Sequence, residues 1–136
     1  MKVVLDSNVL VRLCDPTGNR DLQTWFRELL SRGTGAPEIC ISAIADYETR
    51  GALLRRKAAP SLALYEQIAN AATWLPVTRE MTRLAADLRA KYPGRPSDAD
   101  LLMAAQAKIA DAVLVTSDQD LLRLTEVPAK DWHEVH

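Results

Sequence analysis

Four short apolar runs mark the chain: Val3 to Leu5, Ile39 to Ile41, Trp74 to Val77, and Ala112 to Val115. Each is only three or four residues long and none alternates with polar residues. A strand with one wet face would alternate, so unbroken runs of this length predict strands covered on both faces. Pro76 falls inside the third run. Proline cannot donate to a ladder, which predicts an edge position or a strand end there.

Helical patterns fill the intervals. A first helix is predicted from Arg20 to Arg32, closed by Gly33 as a C-cap. Ser42 can cap a second running to about Lys57, and Pro60 with Ser61 opens a third that ends near Thr73. Thr78 caps a fourth, in which Met81, Leu84, Ala85 and Leu88 follow the i, i+3, i+4, i+7 rule before Tyr92-Pro93-Gly94 stops it. Ser97 stands three residues before Asp100, a capping-box-like start to a fifth helix through about Ala110. Strand and helix alternate, which predicts an α/β fold: three layers, α/β/α, around a central, mostly parallel sheet of four or five strands.

The chain has 136 residues, and no repeat or linker breaks the pattern, so one domain spanning 1–136 is the simplest account. At that size a fold buries roughly two-thirds of the surface its unfolded chain exposes, and needs no staple. Cys14 and Cys40 are isolated, with no CxxC pair or His at ligand spacing, and read as small semi-buried thiols. The apolar stretch before Asp6 is far too short for a signal sequence or a membrane span, and a soluble, cytoplasmic protein is expected. Seventeen basic and eighteen acidic side chains give a net charge of -1. No global field would draw a polyanion, so any contact with nucleic acid must come from a local patch.

Parallel α/β folds gather reactive groups beyond the carboxyl ends of their strands. Asp6 directly follows the first run, and Asp118 follows the fourth by way of Thr116 and Ser117. Glu48 falls in the helix after the second run, and Asp100 in the first turn of the helix before the fourth. All four can converge at one end of the sheet. Such a set would repel and raise its own pKa values unless divalent cations neutralised it. Carboxylates without His or Cys suit the hard ions Mg²⁺ or Mn²⁺. Those ions turn water into a nucleophile and stabilise charge on a departing oxygen, which points to phosphodiester hydrolysis. No Gly-rich phosphate loop, Ser-His-Asp set or GxGxxG sequence competes.

The segment Val3-Val4-Leu5-Asp6-Ser7-Asn8-Val9-Leu10 resembles the opening motif of PIN domains, in which Asp at the end of the first strand is followed by a small hydroxyl residue and Asn. Tyr47-Glu48-Thr49-Arg50-Gly51 is similar to the second motif, Asp100-Leu101-Leu102-Met103-Ala104-Ala105 to the third, and Val113-Leu114-Val115-Thr116-Ser117-Asp118-Gln119-Asp120 to the fourth. Singly each is weak, but all four occur in order across residues 3 to 120. Ser7 stands where Thr is commoner and Leu121 where an aromatic is frequent; hydroxyl and apolar anchor are kept. The resemblance implies a PIN-like ribonuclease with Asp6, Glu48, Asp100 and Asp118 as its acidic quartet, held by hydrogen bonds from Asn8 and Thr116. It further implies a homodimer and, for the VapC-type toxins it is most similar to, inhibition by a VapB-type antitoxin.

On this reading Asp6 and Asp100 are the principal metal ligands, Asp118 binds directly or through water, and Glu48 positions or deprotonates the attacking water. Asp98 competes with Asp100, but two residues on a helix lie about 200° apart, so Asp98 is read as a first-turn acid or an auxiliary group. Asp46 is a surface acid or a support for Glu48, and Asp111 and Asp120 are surface or turn acids. Arg50, Arg55, Arg56 and Lys57 form the densest basic stretch. They are either a solvated helix end or contacts to RNA phosphates, and Arg12 belongs to the same expectation. Trp25, Trp74 and Trp132 are read as packing residues, and His133 and His136 carry no assigned chemistry. Two rival readings remain. One is an aspartyl-phosphate phosphatase, for which Asn8 stands where a second Asp is required; the other is a catalytically silent PIN-like binding module.

Overall fold

The computed structural model describes residues 1–135; His136 lies outside the described residues. The chain runs β1 (Lys2–Leu5), α1 (Ser7–Leu13), α2 (Arg20–Leu30), β2 (Glu38–Ser42), α3 (Ala43–Arg55), α4 (Ala59–Ala71), β3 (Thr73–Leu75), α5 (Arg79–Lys91), α6 (Asp98–Ile109), β4 (Ala112–Val115), α7 (Gln119–Leu122) and β5 (Ala129–Lys130). Short 3-10 turns occupy Gly33–Gly35 and Trp132–Glu134. Among the described residues no helix is long and apolar enough to cross a membrane.

The five strands form one sheet in the order β3-β2-β1-β4-β5, with every neighbouring pair parallel. Central β1 and β4 are covered on both sides: Val3, Val4, Leu5, Leu114 and Val115 have no exposed surface. Their apolar runs cannot alternate because neither face meets water. β3 is an edge strand and stops at Leu75, immediately before Pro76. From β1 the chain steps outward to β2 and β3, then returns across the sheet to β4 on the other side of β1. Parallel crossovers are right-handed, so that reversal sends the α5–α6 connection to the opposite face. It also opens a crevice between the carboxyl ends of β1 and β4, the switch point where such sheets build sites.

Local chemistry sets the helix starts. The side chains of Ser42, Thr78 and Ser97 accept from the backbone of Ile44, Met81 and Asp100, as their positions predict. Three short elements are absent from the sequence expectation. α1 is only seven residues long and is capped by Asp6, whose carboxylate accepts from the Ser7 amide. α7 has four residues and is capped in the same way by Asp118. β5 is a two-residue strand paired through Leu114 with Ala129 and Val115 with Lys130. None is long enough to carry a clear hydrophobic period.

α6 lies close to its neighbours because the residues it buries include Ala104, Ala105 and Ala107. Met81 and Ala85 of α5 pack with its Ala105. Burying a side chain the size of Met81 stabilises by roughly 1.5–3 kcal/mol. Cys14 and Cys40 are buried and free. Trp132 is buried and Trp25 packs on it at 6.0 Å with its indole N–H donating to the Val135 carbonyl, whereas Trp74 is half exposed on the edge strand.

Candidate active site

Strand register brings the first two groups together. Leu5 pairs with Val115, so the next residues along, Asp6 and Thr116, emerge side by side at the carboxyl edge. The Asp6 amide still donates to the Val115 carbonyl at 2.9 Å, and Thr116 Oγ1 donates to Asp6 Oδ2 at 2.6 Å. The Ser7 amide donates to Asp6 Oδ1 at 2.7 Å. Both carboxylate oxygens are thereby fixed, while each keeps a lone pair free. Asp6 is buried, at 2 % exposure, and burial is the main reason its pKa is pushed up to about 6. The Thr116 hydroxyl works against that rise, and the negative charges of Asp100 and Glu48 add to it.

Glu48 reaches the site from α3, where it is anchored by the Ser7 hydroxyl donating to its Oε1 at 3.2 Å. Its pKa is raised, first by burial and then by Asp100, with the Ser7 bond opposing. Asp100 enters from the first turn of α6. It too is raised by burial and by Asp118, through repulsion and a shared hydrogen bond, while Ser97 holds it down. Asp118 is set by the β4–α7 turn: its amide donates to Thr116 Oγ1 at 3.0 Å, and its Oδ1 accepts from the Asp120 amide at 2.9 Å. Thr116 thus joins Asp6 and Asp118 through one hydroxyl. The four carboxylates come from four segments at the switch point: Asp6 feels the charge of Asp100 and Glu48, Glu48 that of Asp100, and Asp100 that of Asp118. Among the described residues, however, no three His, Cys, Asp or Glu side chains stand close enough to be a ready-made metal shell. Like charges held by separate hydrogen bonds have no reason to crowd further. An all-oxygen donor set with unbalanced negative charge fits a hard divalent cation and no soft one.

Other expected positions lie elsewhere. Asn8 makes no hydrogen bond to these carboxylates; its Oδ1 is buried without a partner among the described residues. It is Ser7, marked by the sequence pattern only as a retained hydroxyl, that joins Asp6 to Glu48. Asp98 is turned away from Asp100, as a 200° rotation requires: its side chain is 90 % exposed and pairs with Arg89 at 2.9 Å. Asp46 does not support Glu48 but accepts from Arg50 Nε at 2.9 Å and from the Tyr65 hydroxyl at 2.6 Å. Arg50 is engaged by that pair and by a second with Glu66. Arg55, Arg56 and Lys57 are exposed at the far end of α3, about 10 Å or more along the axis from Glu48. Arg12 does reach the site, with Nη1 donating to Ser117 Oγ at 3.1 Å.

The apolar cleft between α2 and α4, lined by Phe26, Leu30, Gln67 and Ile68, shares no residue with these carboxylates. The molecule is thus a parallel α/β domain with acidic side chains at its switch point. The PIN domain family model matches residues 3–127, and the chain belongs to that family. No curated protein sequence matches it. Solved structures share its fold. VapBC2 from Rickettsia felis bound to a promoter DNA fragment superposes with a TM-score of 0.80 at 18% identity, covering 97% of this chain and 99% of that one. DNA-bound VapBC from Salmonella typhimurium gives 0.75 at 22% identity, with 97% and 98% covered. VapC20 from Mycobacterium tuberculosis, a sarcin-ricin loop cleaving toxin, gives 0.69 at 17% identity, with 93% and 99% covered.

Proposed function

We propose that the chain is a single-domain endoribonuclease that hydrolyses RNA phosphodiester bonds at this crevice. The observation that carries the reading is the hydrogen-bonded linkage of Glu48 to Asp6 through Ser7, and of Asp6 to Asp118 through Thr116, at the switch point between β1 and β4, with Asp100 beside Asp118. Desolvated like charges are costly, and a fold retains them where their unbalanced charge is used. Asp6, Asp100 and Asp118 would hold Mg²⁺ or Mn²⁺, which when bound supplies an activated water and a counter-charge for the phosphate. Asp6 is the fixed member, with both oxygens oriented by Thr116 and Ser7. Glu48, whose pKa burial raises and so makes it a better proton acceptor, would take the proton of the attacking water, and the Ser7 hydroxyl aims the carboxylate.

The toxin role, the VapB-type antitoxin partner, the homodimer and the cytoplasmic location belong to the same proposal. The toxin role and the antitoxin partner are supported by membership of the PIN family and by the fold shared with VapBC complexes and with a toxin that cuts the sarcin-ricin loop. The homodimer and the location rest on the family resemblance alone. The test is incubation of purified protein with mixed cellular RNA in Mg²⁺, Mn²⁺ or a chelator, with the cut ends mapped. Cleavage at defined positions that stops on chelation is expected. Intact RNA in both metals, at any protein concentration that saturates binding, overturns the reading in favour of a silent binding module.

A further inference from the structure

A crevice lined by four carboxylates repels a polyanion, so a nuclease site of this kind needs cations placed at its rim. The densest basic stretch in the sequence does not supply them, because Arg55, Arg56 and Lys57 sit at the far end of α3. Arg50 is locked between Asp46 and Glu66. Arg89 is spent on the Tyr92 and Pro96 carbonyls and on Asp98.

Three other arginines, distant in sequence, meet around the β4–α7 turn that carries Asp118. Arg12 comes from α1 and bonds Ser117, next to Asp118. Arg95 comes from the loop ahead of α6, and Arg123 from the end of α7; both approach the Asp120 carboxylate, at 3.8 and 3.7 Å. The Asp120 amide in turn donates to Asp118 Oδ1. Asp120, which the sequence leaves as a turn acid, therefore gathers two guanidinium groups within two residues of the candidate ligand. These side chains are 84% and 77% exposed, and loose exposed pairs of this length hold little free energy. They can exchange Asp120 for a phosphate at small cost. Guanidinium, with a planar fork of donors, suits phosphate oxygens better than ammonium does.

Resting on the ribonuclease reading above, we infer that Arg12, Arg95 and Arg123 grip the backbone phosphates of a single-stranded RNA segment flanking the bond that is cut. The probe is a fluorescein-labelled single-stranded RNA of mixed sequence, bound in Mg²⁺ to otherwise intact protein carrying Asp6→Asn so that it is not consumed. Affinity is measured across a salt series, and circular dichroism checks that each variant is folded. Arg12→Ala, Arg95→Ala and Arg123→Ala are each expected to weaken binding several-fold. The triple variant should flatten the slope of log affinity against log salt by about 0.7 for each phosphate that is no longer gripped. Replacement of Arg55, Arg56 and Lys57 by Ala should leave that slope unchanged.

An unchanged slope in the rim triple variant, or a slope flattened only by the α3 triple, overturns this inference and leaves the nuclease reading intact, since cleavage of mixed RNA is scored separately. Loss of cleavage and binding alike in the unmodified protein overturns both.

Discussion

Asp46 and Glu48 are two residues apart on α3 and belong to opposite electrostatic worlds. Asp46 faces α4, where Arg50 and the Tyr65 hydroxyl satisfy it and Arg50 goes on to Glu66. Arg50 pulls the Glu66 carboxyl below its usual range. Burial and the nearby Asp46 raise the Tyr65 phenol, which stays protonated and donating. Glu48 faces the crevice, where its neighbours are also acids and the carboxyl pKa values of Asp6, Glu48 and Asp100 all move up. One group of charges is closed by its own partners and binds two helices together. The other is left open, at a cost to the fold, and that imbalance is what a cation and a phosphate can relieve.

The largest expected effect comes from breaking the open group at its centre. Asp6→Asn should lower metal-dependent RNA cleavage by about a thousandfold or more, within the range for removing a group that acts on the reacting atoms. It should also make the protein more stable in a chelator at neutral pH. Asp6 ionises near 3.8 when unfolded and near 6 when folded, so the folded chain holds the extra proton between these values. Stability therefore falls as pH rises through that window, by at most about 3 kcal/mol for a shift of this size. Urea denaturation of both proteins should show a gap at about pH 7 that closes near pH 4. A variant no more stable than its parent at neutral pH would show that the Asp6 charge costs nothing.

Breaking the closed group should do the reverse. Arg50→Ala leaves Asp46 with only the Tyr65 hydroxyl and Glu66 with no partner among the described residues. A loss of about 1–2 kcal/mol in stability is expected, because the pair is only partly buried. RNA affinity and its salt slope should stay as they were, and a flattened slope would return Arg50 to the substrate path.

Thr116→Val sharpens the comparison by removing the hydroxyl that holds the Asp6 pKa down. Without it the Asp6 pKa should move further up, and the acid limb of the pH-rate profile should shift to higher pH. An unmoved profile would mean that Asp6 does not set it. The smallest effect belongs to Lys57, which closes α3 at φ 51° with the Ala58 amide bonded to the Leu53 carbonyl. Lys57→Gly removes the left-handed strain and should stabilise by about 0.5–1 kcal/mol with no change in cleavage, as thermal melts and activity assays would show.

Much of this arrangement is legible along the chain, and for local reasons. Unbroken apolar runs identify β1, β2 and β4 as buried strands because burial on both faces forbids alternation. The Trp74 to Val77 run predicts the same cover but is largely exposed, since β3 lies at the sheet edge. Ser42, Thr78 and Ser97 announce helix starts because a capping hydroxyl needs only its next few residues. Asp6 and Asp118 stand out because each follows a strand, and Glu48 and Asp100 because each sits on a helix at a motif spacing. The sequence cannot separate Glu48 from Asp46 by chemistry, nor tell that Arg50 is already taken, since both depend on Tyr65 and Glu66 arriving on another helix.

What the sequence by itself determined was the α/β order, the parallel character of the sheet and the carboxylates at its carboxyl edge, all consequences of short-range periodicity and capping. Only the tertiary structure decided which charges are balanced and which are not. The register of Leu5 against Val115 puts Thr116 on Asp6, and the return of the chain to β4 brings Arg12, Arg95 and Arg123 to one turn. Electrostatic energy depends on distance through space, and residues more than a hundred positions apart become neighbours only when the sheet has formed.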